Sequence, residues 1–459
     1  MNKSISELAR LIKTREISPV EVATTHLQRI DELNPSLNAI VTIAPDLLEK
    51  AREAEAAVMR GDEVGPLHGV PLTIKDTIET ANLRSTSGST LRANHVPEKD
   101  APAVARLKDA GALILGKTNA SEMAMDYNAD NPLFGRTYHP LDSQLTPGGS
   151  SGGEAVAIAT HMSPGGLGSD LAGSIRIPAH FCGVAGLKPA TGRVPGAGQF
   201  PPSSGPYSLG AVIGPMARTV ADLRLLFEVL TGSHMRGWED RMTRSTEFNS
   251  SLKGLRVAWF ASDGGVPVSS DTENAIKKVV FALADAGLTV THELPPHINR
   301  GNELWLKLFS RASVVQLRKA YAGRESEGGA FVSWRLANAD IPPPPALDQY
   351  ISDWMERDLL REQLLEWMES TPVLLAPVGP TPAFAHDTLK LRLGDSNIGV
   401  FRAFTYSQVF NVFDLPVVVV PVHRSREGLP IGIQIVGCPN EEDLILRVAE
   451  LVETASAFS

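Results

Sequence analysis

Between Pro147 and Pro189 the chain reads PGGSSGGEAVAIATHMSPGGLGSDLAGSIRIPAHFCGVAGLKP, with two serine-bearing glycine turns at Ser150 and Ser174. Glycine lets a backbone take positive φ and approach another group closely. Gly148, Gly149, Gly152 and Gly153 around Ser150 and Ser151 therefore read as a tight loop and not as the interior of a strand or helix. EAVAIAT then reads as a helix start. GSDLAGS reads as a second loop, built largely of small side chains and ending on Ser174. In such a loop successive N–H groups can converge beside a hydroxyl and hold an oxyanion.

A serine hydroxyl is a weak nucleophile at neutral pH and needs a base within hydrogen-bond reach. Lysine serves only when neutral, a state favoured by burial and by nearby cationic or hydrogen-bonding partners. Lys75 follows the apolar, strand-like VPLTI, which carries it inward. Taken alone, a lysine in the pair KD is more simply a surface residue. Its context argues otherwise.

That context is a series of motifs in order: GPLHGVPLTIKDTIET, GALILGKTNASEMAM, NPLFGRTYHP, the GGSSGG block, GSDLAGSIRIPAHFCGVAGLKPATGRVP, GPMARTVADL and GLPIGIQIVGCPNEEDLILRVAELVE. Together they resemble the amidase signature family over nearly the whole chain, a far more specific match than any single glycine run. The resemblance implies that Ser174 is the nucleophile, Ser150 a bridging serine reached through a cis peptide, and Lys75 the terminal base. It implies acyl transfer through a covalent intermediate, with the oxyanion on the N–H groups of Leu171, Ala172, Gly173 and Ser174. Ser151, Asp170 and Arg176 fall at family positions that tie the two loops together. For Arg176 a structural salt bridge and a substrate contact weigh equally. One departure is Ala172, where the family usually has a second glycine before the nucleophile. An alanine N–H donates equally well if its φ is negative, while its methyl narrows the acyl side of the pocket.

The implied fold is α/β, a large twisted mixed β-sheet sandwiched between α-helices, in a single domain over residues 1–459. Its segments read as an N-terminal helical segment (1–60), a catalytic core (61–235) and a variable helical segment (297–370). MNKSISELARLIKTREISPVEV reads as an amphipathic helix, and Ser18-Pro19 marks a further helix start. VPLTI, ALILGKT, LRVAWF, GLTVTHEL, TPVLLAPVGPTPA and PVVVVPV read as strands, interleaved with helices such as PAVARLKDAG and TENAIKKVVFALADAG. In the variable segment, Trp305, Phe309, Trp334 and Trp354 suit a cap over the entrance and plain core packing equally. Candidate substrate contacts are Met125, Asp126 and Tyr127, the 196–208 loop and the 305–350 region.

Composition sets the outer bounds. A chain of 459 residues, 43% apolar and 21% charged, can bury a large core. A net charge of −9 without a basic stripe argues against nucleic acid or an anionic membrane as partner. No apolar run approaches the roughly 18 residues that span a bilayer, and the N-terminus lacks a secretory pattern, so the expected location is the cytoplasm. Two cysteines are too few for a disulfide framework, and Cys182 in FCGVAGLKP reads as a packed core thiol.

Other chemistries fit less well. GGSSG matches the G-x-S-x-G nucleophile elbow, but TYHPLDSQLTP before it is a poor strand. The glycine loops lack the lysine of a P-loop and the acidic residue of a dinucleotide fingerprint. His292 and His297 in HELPPH have the wrong spacing for a helical metal pair, so no metal and no cofactor are expected. The expected activity is hydrolysis of linear amides, neutral and hydrophobic or aryl, with esters and carbamates (urethanes) as further substrates. The expected partner is a small-molecule substrate, and a homodimer is left open. The alternative within the family is the amidase component of a tRNA-dependent amidotransferase, whose sequence the C-terminal half is read as not following closely.

Overall fold

The computed structural model describes residues 2–232 and 252–456. The last three positions of the expected core segment, 233–235, lie outside the described residues. Eleven strands form one sheet. In chain order they are β1 (Ile40–Ile43), β2 (Pro71–Lys75), β3 (Leu113–Thr118), β4 (Gly165–Asp170), β5 (Ala185–Lys188), β6 (Val212–Ala217), β7 (Arg256–Trp259), β8 (Thr289–His292), β9 (Val373–Pro377), β12 (Val417–Arg424) and β13 (Pro430–Gly437). A separate hairpin, β10 (Lys390–Leu393) and β11 (Ser396–Gly399), stands apart from it.

The spatial order is β1-β3-β2-β4-β6-β5-β12-β13-β9-β7-β8. The sheet is mixed: β2 runs parallel to both β3 and β4, and β7 to both β8 and β9, while the remaining neighbours are antiparallel. The valine run of β12 is wholly buried, as a strand covered on both faces requires. Helices flank the sheet, and one hydrophobic cluster runs from Ile5 to Val452. No helix among the described residues is long and apolar enough to cross a membrane.

Three local expectations change. The N-terminal amphipathic stretch is two helices, Ile5–Lys13 and Pro19–Leu37. The second opens on a Ser18 capping box with Glu21, and Arg15 between them takes a φ of 62°. The 1–60 segment is not helical throughout, because Ile40–Ile43 pairs with β3 as an edge strand. Most consequential, Gly165–Asp170 is a strand, so the first three residues of the expected second loop belong to the sheet. Its glycines are there for proximity: a Cβ on Gly166 would lie 2.0 Å from Thr73 O of β2 and 2.4 Å from Glu154 Oε1.

This register places the site. β2, β3 and β4 run in the same direction and end at Lys75, Thr118 and Asp170, so chemistry gathers beyond their carboxyl ends.

Candidate active site

Lys75 is the last residue of β2 and is fully buried. Its Nζ lies 2.6 Å from Ser150 Oγ, 2.9 Å from Ser169 Oγ and 3.5 Å from Ser169 O. No ion pair forms at this amine among the described residues. Burial pushes its pKa down to about 7, opposed by the charges of Asp170 and Glu154. Glu154 is itself held by the hydroxyls of Thr73 (2.6 Å) and Thr118 (2.7 Å), and burial raises its pKa to about 7. The surface reading of Lys75 is therefore excluded.

Ser150 follows a cis Gly149–Ser150 peptide, and Gly148 before it takes a φ of +80°. A side chain on Gly149 would meet the backbone of Asp126, Tyr127 and Asn128 at 2.8 Å. Gly152 and Gly153, expected in the loop, form instead the first turn of the helix Gly152–Ala159. A Cβ on Gly153 would lie 2.5 Å from the backbone of Asn119. No strand runs directly into Ser150 over residues 141–149, where the nucleophile-elbow alternative would need one. The neighbouring buried histidines are engaged elsewhere: His139 pairs with Phe181 O, and His180 with Thr381 O and the Gly432 N–H.

Ser174 sits in the turn between β4 and the helix Arg176–Cys182, and is 7% exposed. Its carbonyl accepts from the Ser151 N–H at 3.1 Å. Ser151 Oγ donates to Ser169 O at 3.3 Å and accepts from the Ser169 N–H at 3.4 Å, so Ser151 joins the two loops. A direct hydrogen bond between the Ser150 and Ser174 hydroxyls is not among those formed.

Asp170 and Arg176 build the base of the turn, both side chains having no exposure. Arg176 donates to both Asp170 oxygens at 2.9 and 3.0 Å, to Ser407 O at 2.8 Å, to Gln434 Oε1 at 2.7 Å and to Asn411 Oδ1, so all five N–H groups are engaged. Burial alone would raise the pKa of Asp170, but the guanidinium and the Ile175 N–H hold it well below the usual carboxylate range. Arg176 is thus a structural residue with no donor turned to a substrate.

In the turn expected to hold the oxyanion, one N–H is engaged within the protein. The Gly173 N–H donates to Asp170 Oδ1 at 2.8 Å and is already engaged. Gly173 has a φ of +110°, and a Cβ there would lie 2.7 Å from Ile177 Cδ1 and 2.8 Å from Ser407 Cβ. Ala172, the departure from the family pattern, does not take a positive φ, so its methyl stands where a side chain is tolerated.

Of the three expected substrate residues, only Tyr127 meets this loop, donating its hydroxyl to Ala172 O at 2.9 Å. Asp126 turns back on its own loop, accepting from the Tyr127 N–H at 2.6 Å, and burial raises its pKa to about 6. Met125 packs instead with Met123, Leu317, Tyr321 and Val332, which link the 121–127 loop to the variable segment. Trp305 and Phe309 are buried in the main core and Trp334 is 59% exposed. The 196–208 loop meets that segment through Tyr207 against Phe309 and Gln316 Nε2 donating to Pro202 O. Cys182 is buried 3.6 Å from Pro147 O, its pKa pushed up by burial, as a core thiol should be. His292 ends β8 against the Trp259 ring, and His297 pairs with Gln363.

The Amidase family model matches residues 21–446. A component of the glutamyl-tRNA(Gln) amidotransferase of Carboxydothermus hydrogenoformans is 32% identical, the match covering 99% of this chain and 97% of that protein. The match runs through the C-terminal half as well, the part expected to follow that component less closely. Human fatty-acid amide hydrolase 2 is also 32% identical, over 97% of this chain and 88% of its own length. A solved bacterial aryl acylamidase superposes with a TM-score of 0.86 at 25% identity, covering 99% of this chain and 96% of that one. The chain belongs to the amidase signature family and is an amidase, a hydrolase of carbon–nitrogen bonds other than peptide bonds.

Proposed function

We propose that Ser174 is acylated by a neutral amide and that Ser150 and Lys75 relay its proton. The contact that carries this reading is Lys75 Nζ at 2.6 Å from Ser150 Oγ in a fully buried setting. With the amine neutral, Ser150 donates its proton to Nζ while the amine's own hydrogens face Ser169. Ser150 in turn takes the Ser174 proton as Ser174 Oγ bonds to the amide carbon. The tetrahedral oxygen sits on the N–H groups of Leu171, Ala172 and Ser174, without Gly173. The relay then runs backwards to protonate the departing nitrogen, the C–N bond breaks, and water repeats the sequence on the acyl-enzyme.

Substrates are uncharged, with a hydrophobic or aryl acyl group, and carbamates and esters follow the same course. Tyr127 stacks on Phe401 at 5.5 Å and meets Phe404 at 4.9 Å, so aromatic surface borders the nucleophile turn. A carboxylate entering here would lose its hydration at a cost of several kcal/mol, and Arg176 has no donor to offer it. Two unpaired thiols, Cys182 and Cys438, suit a reducing cytoplasm.

The amidotransferase reading stays as a second one because the relatedness to that component covers 99% of the chain. A panel of aryl amides, primary amides, aryl carbamates and glutamine, run on the purified chain alone, separates the two. Turnover of neutral aryl amides, abolished by Ser174→Ala together with labelling by a serine-directed phosphonate, supports hydrolysis. Label on Ser150, Ser151 or Cys182 overturns the assignment of the nucleophile.

A further inference from the structure

We propose that the short helix Gly301–Trp305, from the variable segment, is the positioning element of the oxyanion loop. It reaches that loop twice. Trp305 Nε1 donates to Leu171 O at 2.9 Å. Asn302 Nδ2 donates to Gln408 Oε1 at 2.8 Å, Gln408 Nε2 to Tyr127 Oη at 3.0 Å, and Tyr127 Oη to Ala172 O at 2.9 Å. Two consecutive carbonyls of the loop are therefore held by side chains tied to one turn of helix.

The geometry of the peptide unit turns this into an effect on the reaction. Carbonyl and N–H of a trans peptide point in opposite directions, so fixing one fixes the other. The indole on Leu171 O aims the Ala172 N–H away from the helix, as a free donor. The tyrosine on Ala172 O fixes the next peptide, whose N–H closes on Asp170 Oδ1. The 173–174 peptide is held by the Ile177 N–H on Gly173 O at 2.7 Å, which leaves the Ser174 N–H free. From Ala172 to Ser174 the loop thus alternates available and engaged donors, and Trp305 decides the aim of one available donor.

The helix is itself seated closely. A Cβ on Gly301 would lie 2.5 Å from Val409 Cβ, so only glycine lets it approach the helix Thr405–Val412 that carries Gln408. The Trp305 ring is 8% exposed and packs on Phe401 at 4.9 Å and Phe309 at 6.0 Å. Seating of the variable segment and readiness of the oxyanion site are then one event. Trp305 acts through the loop and not on the reacting atoms, which makes it a positioning residue.

This inference rests on Ser174 being the acylated serine, and the test keeps the two apart. Trp305→Phe removes the donor and keeps an aromatic ring, and 3-benzothienylalanine at position 305 replaces N–H by sulfur in the same shape should the phenylalanine variant misfold. Both are assayed on an aryl ester and its thiono analogue, whose C=S accepts hydrogen bonds poorly. Losing an oxyanion donor typically costs about 10²–10³ in rate, so misaiming one should lower kcat on the oxo ester roughly 10- to 100-fold. KM should hold, and the thiono ester should lose less than about threefold, so the oxo-to-thiono ratio falls. Equal losses on both esters, or no loss, overturn the role of Trp305 while Ser174→Ala remains inactive. Ester turnover that survives Ser174→Ala removes the acylation reading and this inference with it.

Discussion

Replacing Lys75 by methionine separates the chemistry of this site from its cost to the fold. Only the neutral amine accepts a proton, so kcat/KM for an amide should rise with pH through a limb near 7, the value to which burial lowers Lys75. Lys75→Met should lose roughly 10²–10⁴ in kcat, the usual worth of a general base, and lose that limb. Esters need less protonation of the leaving group, so residual ester hydrolysis should exceed residual amide hydrolysis.

Stability should move the other way. In the unfolded chain the amine ionises near about 10.4. Between that value and about 7 the unfolded state therefore holds a proton that the native state has released. Stability rises with pH across this window, and the cost of burying the amine is complete below it. At about 1.4 kcal/mol per pH unit that cost is at most about 4–5 kcal/mol. Methionine has similar length and no charge, but forfeits contacts to Ser150 and Ser169 worth ~1 kcal/mol each. The net expectation is a gain of about 1–3 kcal/mol at pH 6–7 that shrinks toward pH 10, read from urea midpoints. A variant less stable at pH 6, with the wild-type pH slope, would show that the native amine stays protonated across that window and refute the argument. Near-normal amide hydrolysis would refute the relay itself.

Arg176→Met should cost about 3–5 kcal/mol in chemical denaturation, because it leaves the Asp170 carboxylate buried without its cation; a loss under 1 kcal/mol would mean that Asp170 is neutral. Gly173→Ala should lower kcat by more than about 10², since a φ of +110° and two contacts below 3 Å leave no place for a methyl. Ala172→Gly should keep activity within about tenfold and shift preference toward bulkier acyl groups, which competition between a short and a branched acyl anilide would reveal. Neutral aryl amides should exceed glutamine in kcat/KM for the purified chain, and a strong preference for glutamine would favour the amidotransferase reading.

What the sequence conceals here follows from the two uses a chain makes of glycine. Glycine runs signal turns when the backbone needs positive φ, and Gly148 and Gly173 meet that rule. Gly152, Gly153 and Gly166 do not: they sit in a helix and a strand because another group passes within 2.0–2.7 Å of where a Cβ would be. Hydrophobic alternation cannot reveal such a strand, since its faces are filled by neighbours and not by its own side chains. The difference has a chemical consequence, for Ser169 gains a role only from the strand. Once Gly165–Asp170 is a strand parallel to β2, the pairing of Ile74 with Leu167 carries Ser169 up beside Lys75. Lys75, Ser150 and Ser174, the proposed relay, stand out in the sequence because they lie within dense local motifs. The side chains that brace the adjoining turn, Asn302, Gln408, Asn411 and Gln434, are single polar residues with no spacing to mark them. Their roles exist only in the folded chain, where Arg176 reaches Gln434 across 258 positions and Gln408 reaches Tyr127 across 281. A site whose reacting groups are local and whose alignment is long-range can therefore keep its chemistry in recognisable motifs while its precision is set by segments that vary.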